Sequence, residues 1–513
     1  MDMSTKKFLE AINKGYSFKG ESIILGTGML NGEGVTNAHV KIPLKTINRH
    51  GLIAGATGTG KTKTLQVLAE QLSLEGIPSL LMDVKGDLSG LAMPGMNNDH
   101  ITCRHDVIGL DYNPNSIPVE LMTISDNDGV KLRATVSEFG PVLFAKILGL
   151  NDTQSGIISL IFKYCDDNQL PLLDLDDVKK VFQFSMNEGK KELNAEYGAI
   201  SKASVNTILR KIIELEQQKA DVFFGEKSFE IEDLMRKQED KGIVSIIRLN
   251  DIQDKPKLFS TFMLSLMSEV YHTLPDEGDL AKPKLSIFID EAHLIFDTAS
   301  NALLSQLETM VKLIISKGVG LFFVTQNPTD IPDDILSQLG LKIQHSLRAF
   351  TAKDRKNIKQ TAQNYPLSEF YKTDEVLTSM GIGEALITAL SEKGKPTPLV
   401  HTLLRAPVSR MDVLTSSEIR KLVEKSELVK KYNQEINRES AYEMLTDKIK
   451  IAQQEENQEK LNEVKRNLQK VKSRRKKSTL ETISKNTMVR QLGRTVLREV
   501  TRGLLGALGI KRR

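Results

Sequence analysis

Short, unbroken apolar runs punctuate the chain: Leu52-Ile53-Ala54, Ser79-Leu80-Leu81-Met82-Asp83-Val84, Ile243-Val244-Ser245-Ile246-Ile247, Lys284-Leu285-Ser286-Ile287-Phe288-Ile289 and Gly320-Leu321-Phe322-Phe323-Val324-Thr325. Runs this short, without polar alternation, predict strands buried on both faces of a parallel sheet. The helix-compatible stretch from Thr62 towards Gln71 joins the first two runs into a βαβ unit, which should cross over right-handed. Between Gly129 and about Gln218 the period becomes helical. Ile157, Ile161 and Cys165 recur every four residues after an N-cap residue at Asn151, and Ser204 to Glu216 is a second helix former, so residues 129–218 read as a helical insertion. Strand character returns at Ile243, followed by a helix from Phe259 to Tyr271. Residues 1–50 alternate apolar runs with Gly-rich turns and read as a small β-rich lead-in to a core over 51–410. The prediction is an α/β fold with a mostly parallel sheet, a helical insertion and a helical C-terminal tail.

Residues 411–513 lose strand character. Leu414 to about Val471 is rich in charged helix formers with too few apolar positions to bury itself, so it needs a partner surface. Met488 to Ile510 sets Leu492, Val496, Val500, Leu504 and Leu508 on one helical face and Arg490, Arg494, Arg498 and Arg502 on another, which predicts a basic amphipathic helix.

Charge sharpens that division. The net charge of +4 conceals 19 Lys and Arg against 8 Asp and Glu in residues 441–513, which leaves 51 against 58 in the first 440. Within the tail, Lys465, Arg466, Lys470, Lys472, Arg474, Arg475, Lys476 and Lys477 form a cluster suited to nucleic acid or another anionic surface, or to a solvated charged helix. Two cysteines, Cys103 and Cys165, cannot build a disulfide framework, and no apolar run approaches the span of a bilayer. With no basic, apolar leader at the start, the expected compartment is the reducing cytoplasm.

The candidate chemistry begins at Gly55-Ala56-Thr57-Gly58-Thr59-Gly60-Lys61-Thr62, a full match to the phosphate-loop pattern between a strand and a helix. Gly55, Gly58 and Gly60, with Thr57 and Thr59, let backbone N–H groups close round the phosphates of ATP; Lys61 bridges the outer phosphates and Thr62 offers its hydroxyl to Mg2+. Lys63 follows in the first turn of the helix and joins the nucleotide-binding set. The apolar run at Lys284 ends in Asp290-Glu291: Asp290 is placed to hold the water shell of Mg2+, and Glu291 to deprotonate the attacking water. Gln326, at the end of the Gly320 run, is the expected sensor of the γ-phosphate, against the plainer reading of a polar loop start. Asp83 and Asp87 lie at a strand's carboxyl end, where ligands of parallel sheets gather, and fit either an active-site role or a capped turn. His100, Cys103 and His105 lack a fourth ligand at zinc-site spacing.

The blocks HGLIAGATGTGKT, LMDVKGDLSGL, TVSEFGPVL, IFIDEAHLIF, GLFFVTQNPTDIPDDILSQLG, QHSLRAF and GEALI, in this order, resemble the HerA/FtsK superfamily, specifically its bacterial HerA-like, YjgR-type branch. The likeness extends to SAYEML near residue 440. It implies a RecA-like core of the ASCE type and a homo-oligomeric ring, commonly a hexamer, with ATP at subunit boundaries. It also implies a motor moving on double-stranded DNA beside a nuclease or other DNA-processing partner. The sequence departs from the pattern in two places. The register of the trans-acting arginine falls on Ile315, leaving Lys317 or Arg348 to supply the charge, and no segment is read as the N-terminal β-barrel of archaeal HerA motors. The leading expectation is therefore a Mg2+-dependent ATPase acting as a DNA translocase. The alternative is a nucleotide-controlled assembly ATPase that translocates nothing.

Overall fold

The computed structural model describes residues 3–296, 301–434, 436 and 438–475. Among the described residues, twelve strands form one sheet. Eight of them run parallel, in the spatial order Leu341–Gln344, Gly51–Ala54, Val319–Thr325, Leu285–Ile289, Ser79–Asp83, Val244–Arg248, Val119–Thr123 and Val130–Lys131. Every residue of the five central strands, from Gly51–Ala54 to Val244–Arg248, is buried except Arg248. Their continuous apolar runs follow from a sheet covered on both faces. Across the middle of it Phe288 stacks on Phe322 with ring centroids 4.6 Å apart.

The other four strands extend the sheet antiparallel from Leu341–Gln344, in the order Glu384–Thr388, Val400–Leu404, Ser22–Leu30 and Glu33–Pro43. The first fifty residues are therefore an edge of the main sheet rather than a small lead-in before it. Asn31 (φ 53°) and Gly32 (φ 83°) form the two-residue turn of their hairpin, a pair suited to left-handed backbone. The segment also opens with a helix, Met3–Gly15, whose Phe8 and Ile12 join the main core with Leu65, Leu72, Phe288 and Phe322. The β-rich reading of residues 1–50 did not include it.

Within the insertion, helices Val136–Ile147, Asp152–Asp167, Leu175–Met186, Lys190–Glu196 and Lys202–Gln217 follow one another. Thr135, Asn151 and Asp174 each start a helix with a capping box. The helical part begins later than residue 129, because Val130–Lys131 is the outermost parallel strand. Cys165 is buried on the apolar stripe.

The C-terminal boundary also moves. One compact unit runs to Thr446 and a second begins at Asp447. Helices Ser416–Glu424 and Glu427–Tyr432 belong to the first unit, where Leu414, Leu428, Tyr432, Ala441 and Leu445 are buried. Up to residue 446, the partner surface that this charged stretch needs is the protein's own core. Asp177, buried in the insertion, accepts hydrogen bonds from the Ser440 hydroxyl and Tyr442 N–H and so anchors the start of helix Ala441–Arg475. Residues 451–468 of that helix are exposed throughout. The basic amphipathic helix expected over 488–510 lies outside the described residues. Among the described residues no helix is long and apolar enough to cross a membrane.

His50, fully buried where the chain enters the Gly51–Ala54 strand, ties the sheet to the helix Asn301–Leu313. Its Nε2 lies 2.8 Å from the Val311 carbonyl, and its Nδ1 accepts from Leu321 N–H at 3.0 Å, which requires a neutral ring. Burial lowers its pKa to about 4. The unfolded chain binds a proton on this ring near pH 6.5, so the stability it contributes is complete above that pH and is lost as pH falls towards 4. Between pH 7.5 and 5 this one ring should cost about 2 kcal/mol of stability. Denaturant titrations of wild type and His50→Gln at the two pH values should differ in their pH dependence by about that amount; equal pH dependence would contradict the assignment.

Candidate active site

The phosphate loop leaves the sheet at Ala54 and enters helix Lys61–Leu74. Gly55 (φ 153°) passes so close to His345 that an added Cβ would lie 2.4 Å from the His345 Cβ. Gly60 caps the helix in left-handed backbone (φ 112°) without a side-chain hydrogen bond, so the first-turn N–H groups and the helix dipole face the loop. The loop is pinned to the strands on either side by Gly55 N–H to Thr325 O (3.3 Å) and Ala56 N–H to Ser346 O (2.9 Å). Lys61 curls back to donate to the carbonyls of Gly55 (2.6 Å) and Ala56 (3.1 Å). Burial and the charge of Lys85 lower its pKa, against the pull of Glu291 and Asp290. Thr62 and Lys63 occupy the first turn, both half-buried. Next to them Thr64 Oγ1 meets His345 Nε2 at 2.9 Å.

Strand register assembles the remainder. Thr325 pairs with Ala54, and Ile289 pairs with Phe323 and with Met82. Gln326 therefore emerges beside Gly55, exposed, and Asp290-Glu291 beside it on the next strand, with Asp83 one strand further. Asp290 is buried and its pKa is raised to about 7, chiefly by burial, with Glu291 and Asp83 adding to the rise and Lys85 opposing it. Its Oδ2 is buried without a hydrogen-bond partner among the described residues, as is Oδ1 of Asp87. A buried, unsatisfied carboxylate oxygen beside the phosphate loop fits a hard divalent cation and its water shell.

Glu291 adopts a left-handed backbone (φ 48°), uncommon for a non-glycine residue, which turns its side chain out of the strand path. That carboxylate ion-pairs with Lys85, and His293 Nδ1 lies 3.2 Å from its other oxygen. Lys85 was given no role by sequence reasoning, although it stands between the two singled-out aspartates. Burial works against its charge, yet the bond to Glu291 and the nearby Asp290 and Asp87 carboxylates raise its pKa overall.

Asp83 and Asp87 separate in role. Asp83 accepts from the N–H groups of Gly86 (2.7 Å), Asp87 (3.1 Å) and Leu88 (3.0 Å), which makes it the cap of the turn that carries Lys85. Asp87 is half-buried and lies near Lys63, whose pKa is lowered by burial against the pull of the Asp87 carboxylate.

The two candidate replacements for the arginine sit in different surroundings. Lys317 lies before strand Val319–Thr325, at the opposite end of the sheet from the phosphate loop, and pairs with Asp276 (3.2 Å) over the ring of Tyr271. Ile315, half-buried in the same turn, accepts from Gly318 N–H through its carbonyl. Arg348 is exposed and donates to the Thr57 carbonyl of its own phosphate loop at 3.0 Å. The His100/Cys103/His105 trio lies on helix Asp99–Ile108, where His105 is spent on backbone groups, Nε2 accepting from Ala406 N–H at 3.2 Å.

The phosphate loop, one strand away from Gln326 and two from Asp290-Glu291 in a parallel sheet, defines a P-loop nucleoside-triphosphatase fold of the RecA-like type. The chain belongs to the helicase HerA-like C-terminal family, whose model matches residues 29–513. It is 24% identical over 363 residues to the DNA double-strand break repair helicase HerA of Sulfolobus acidocaldarius, and 26% over 357 residues to that of Sulfurisphaera tokodaii; each match covers 69% of this chain. The chain spans 64% of the length of either relative. Among solved structures it is similar to the bacterial conjugative coupling protein TrwBdeltaN70, with a TM-score of 0.49 and 13% identity over 79% of this chain and 94% of that one.

Because Arg348 contacts its own loop, its loss and that of Lys61 should damage the same half-site. Arg348→Ala should lower kcat/KM for ATP by about tenfold to a hundredfold. Mixing Arg348→Ala with Lys61→Ala subunits should restore nothing. Recovery of phosphate release in the mixture would show that Arg348 serves a neighbouring site.

Proposed function

We propose that this chain is a Mg2+-dependent ATPase that assembles as a ring and couples hydrolysis to movement on double-stranded DNA. The observation that carries the reading is the convergence of Lys61, Asp290, Glu291 and Gln326 at the carboxyl ends of adjacent parallel strands. In this account Lys61 exchanges its two loop carbonyls for the outer phosphates, which its charge stabilises as they gain negative charge in the transition state. Thr62 and Asp290 would hold Mg2+, which neutralises phosphate charge. Glu291, released from Lys85, takes the proton of the attacking water, and Gln326 orients that water and reports the γ-phosphate to the sheet. Lys85 thereby holds the base in a resting ion pair, and breaking that pair frees Glu291 to take the proton.

Membership of the HerA-like family and the basic stretch from Lys465 to Arg475 in the sequence, of which Lys465 and Arg466 are exposed, support DNA as the partner. A nuclease or other DNA-processing partner, a hexameric ring and a cytoplasmic setting belong to the same reading. The assembly ATPase without translocation retains one specific support: Ile315 stands in the arginine register, and Lys317 is engaged by Asp276 and Tyr271.

Steady-state phosphate release, measured with and without duplex DNA across a salt series, separates the two. A DNA-driven motor should turn over several-fold faster with duplex at low salt, and the stimulation should fade as salt rises. Turnover that ignores DNA at every salt concentration would sink the translocase reading and leave the assembly ATPase.

A further inference from the structure

Away from the phosphate loop, a cavity of about 410 Å3 opens where the helical insertion meets helix Pro256–Thr273 and the segment that leads into helix Ala441–Arg475. Its volume falls within the range of small-ligand sites, roughly 300–1,000 Å3. We propose that this cavity binds a small amidinium or guanidinium ion carried on an apolar body, which takes the Glu226 carboxylate from Arg438. Nothing in this site depends on the ATPase chemistry.

The walls are fixed by backbone pairing. Residues 133–134 and 223–229 lie side by side: Ala134 N–H donates to the Phe223 carbonyl (3.1 Å), Gly225 N–H to the Ala134 carbonyl (3.1 Å) and Phe229 N–H to the Arg133 carbonyl (3.0 Å). Ser137, in the first turn of helix Val136–Ile147, holds the neighbouring strip. Its N–H donates to the Leu172 carbonyl (2.9 Å), and its hydroxyl accepts from Leu172 N–H (3.1 Å). Phe139, Leu143 and Phe229, all buried, give the cavity its apolar surface. A recess held this rigidly loses little freedom when a flat ligand enters.

Charge decides the class of ligand. The carboxylates of Glu138, Glu226, Glu230 and Glu269 line the cavity against the cations of Arg133, Lys227 and Arg438. Glu230 is already answered by Lys227 (3.1 Å) and Lys431 (2.6 Å), and Arg133 donates to the backbone carbonyls of Glu226 (3.3 Å) and Tyr432 (2.9 Å). Glu226 is answered only in part. Its side chain is 13% exposed; Oε1 pairs with Arg438, whereas Oε2 is buried with no partner among the described residues. Leaving such an oxygen unmet is costly. Arg438 comes from the solvent side with a side chain 64% exposed, so its hold on Glu226 is the weak one of a surface pair. A planar fork inside the cavity can meet both oxygens at once. Ser265 lines the same cavity at 9% exposure, and its hydroxyl has no hydrogen-bond partner among the described residues, which leaves it to accept from the same ligand. Because Arg438 stands just before helix Ala441–Arg475, the exchange removes one tie of the segment that carries the basic tail.

Calorimetric titration of the full chain with benzamidine, benzamide and benzoate compares one ring bearing a positive, a neutral or a negative group. Benzamidine should bind with a Kd below about 1 mM, at least about tenfold tighter than benzamide, and benzoate should not bind. Glu226→Gln removes the carboxylate and Ser265→Leu fills the cavity; each should raise the Kd for benzamidine about tenfold or more. Arg438→Ala, at an exposed side chain, should lower it about threefold or more by removing the competitor. Benzamidine that fails to bind wild type, binds no tighter than benzamide, or binds the Glu226 and Ser265 variants as it binds wild type would overturn the site. An unchanged or raised Kd in Arg438→Ala would overturn the exchange.

Discussion

Parallel pairing of Val319–Thr325 with a strand on each side is the constraint on which the rest depends. Parallel strands bring all their carboxyl ends to one edge, and a shift of one residue would turn each side chain to the opposite face of the sheet. With Thr325 opposite Ala54 and Phe323 opposite Ile289, the phosphate loop, the exposed glutamine and the two acids leave the sheet together. Buried apolar runs favour that register, with Phe288 opposite Phe322 and their rings stacked.

Around this edge the charges are balanced by contacts that nucleotide would disturb. Lys61 is bound to its own loop, Glu291 to Lys85, and Asp290 has a buried oxygen with no partner among the described residues. In the proposed reading a triphosphate would offer Lys61 a stronger acceptor, and Asp290 would be placed to hold a divalent cation. The same helix that presents Lys61 grips residues 408–410 through Gln66 and Glu70, just ahead of the C-terminal helices.

The site was legible where chemistry demands fixed spacing along the chain: the loop from Gly55 to Thr62, and the acids closing an apolar strand. Lys85 was not, since its pairing with Glu291 joins two strands far apart in sequence. Arg348 showed its cation but not its address, because only the fold reveals that it bends back to Thr57. The same limit applies to Ser22–Pro43, whose alternation predicts strands but cannot name Val400–Leu404 as the neighbour. Residues 411–446 misled for another reason: a few well-spaced groups, Leu414, Leu428 and Tyr432, are enough to dock a segment whose average composition is that of an exposed helix. Helix Met3–Gly15 was missed because glycine-rich turns nearby dominated the pattern.

Assignment of Glu291 as the base, distinct from the nucleotide-binding groups, is the claim most directly open to measurement. Glu291→Gln preserves size and removes only the ability to take a proton. Nucleotide titration and single-turnover phosphate release on this variant, with Lys61→Ala as the comparison, should show ATP bound at close to wild-type affinity and phosphate release lost, whereas Lys61→Ala loses binding or hydrolysis. Wild-type phosphate release from Glu291→Gln would contradict the account.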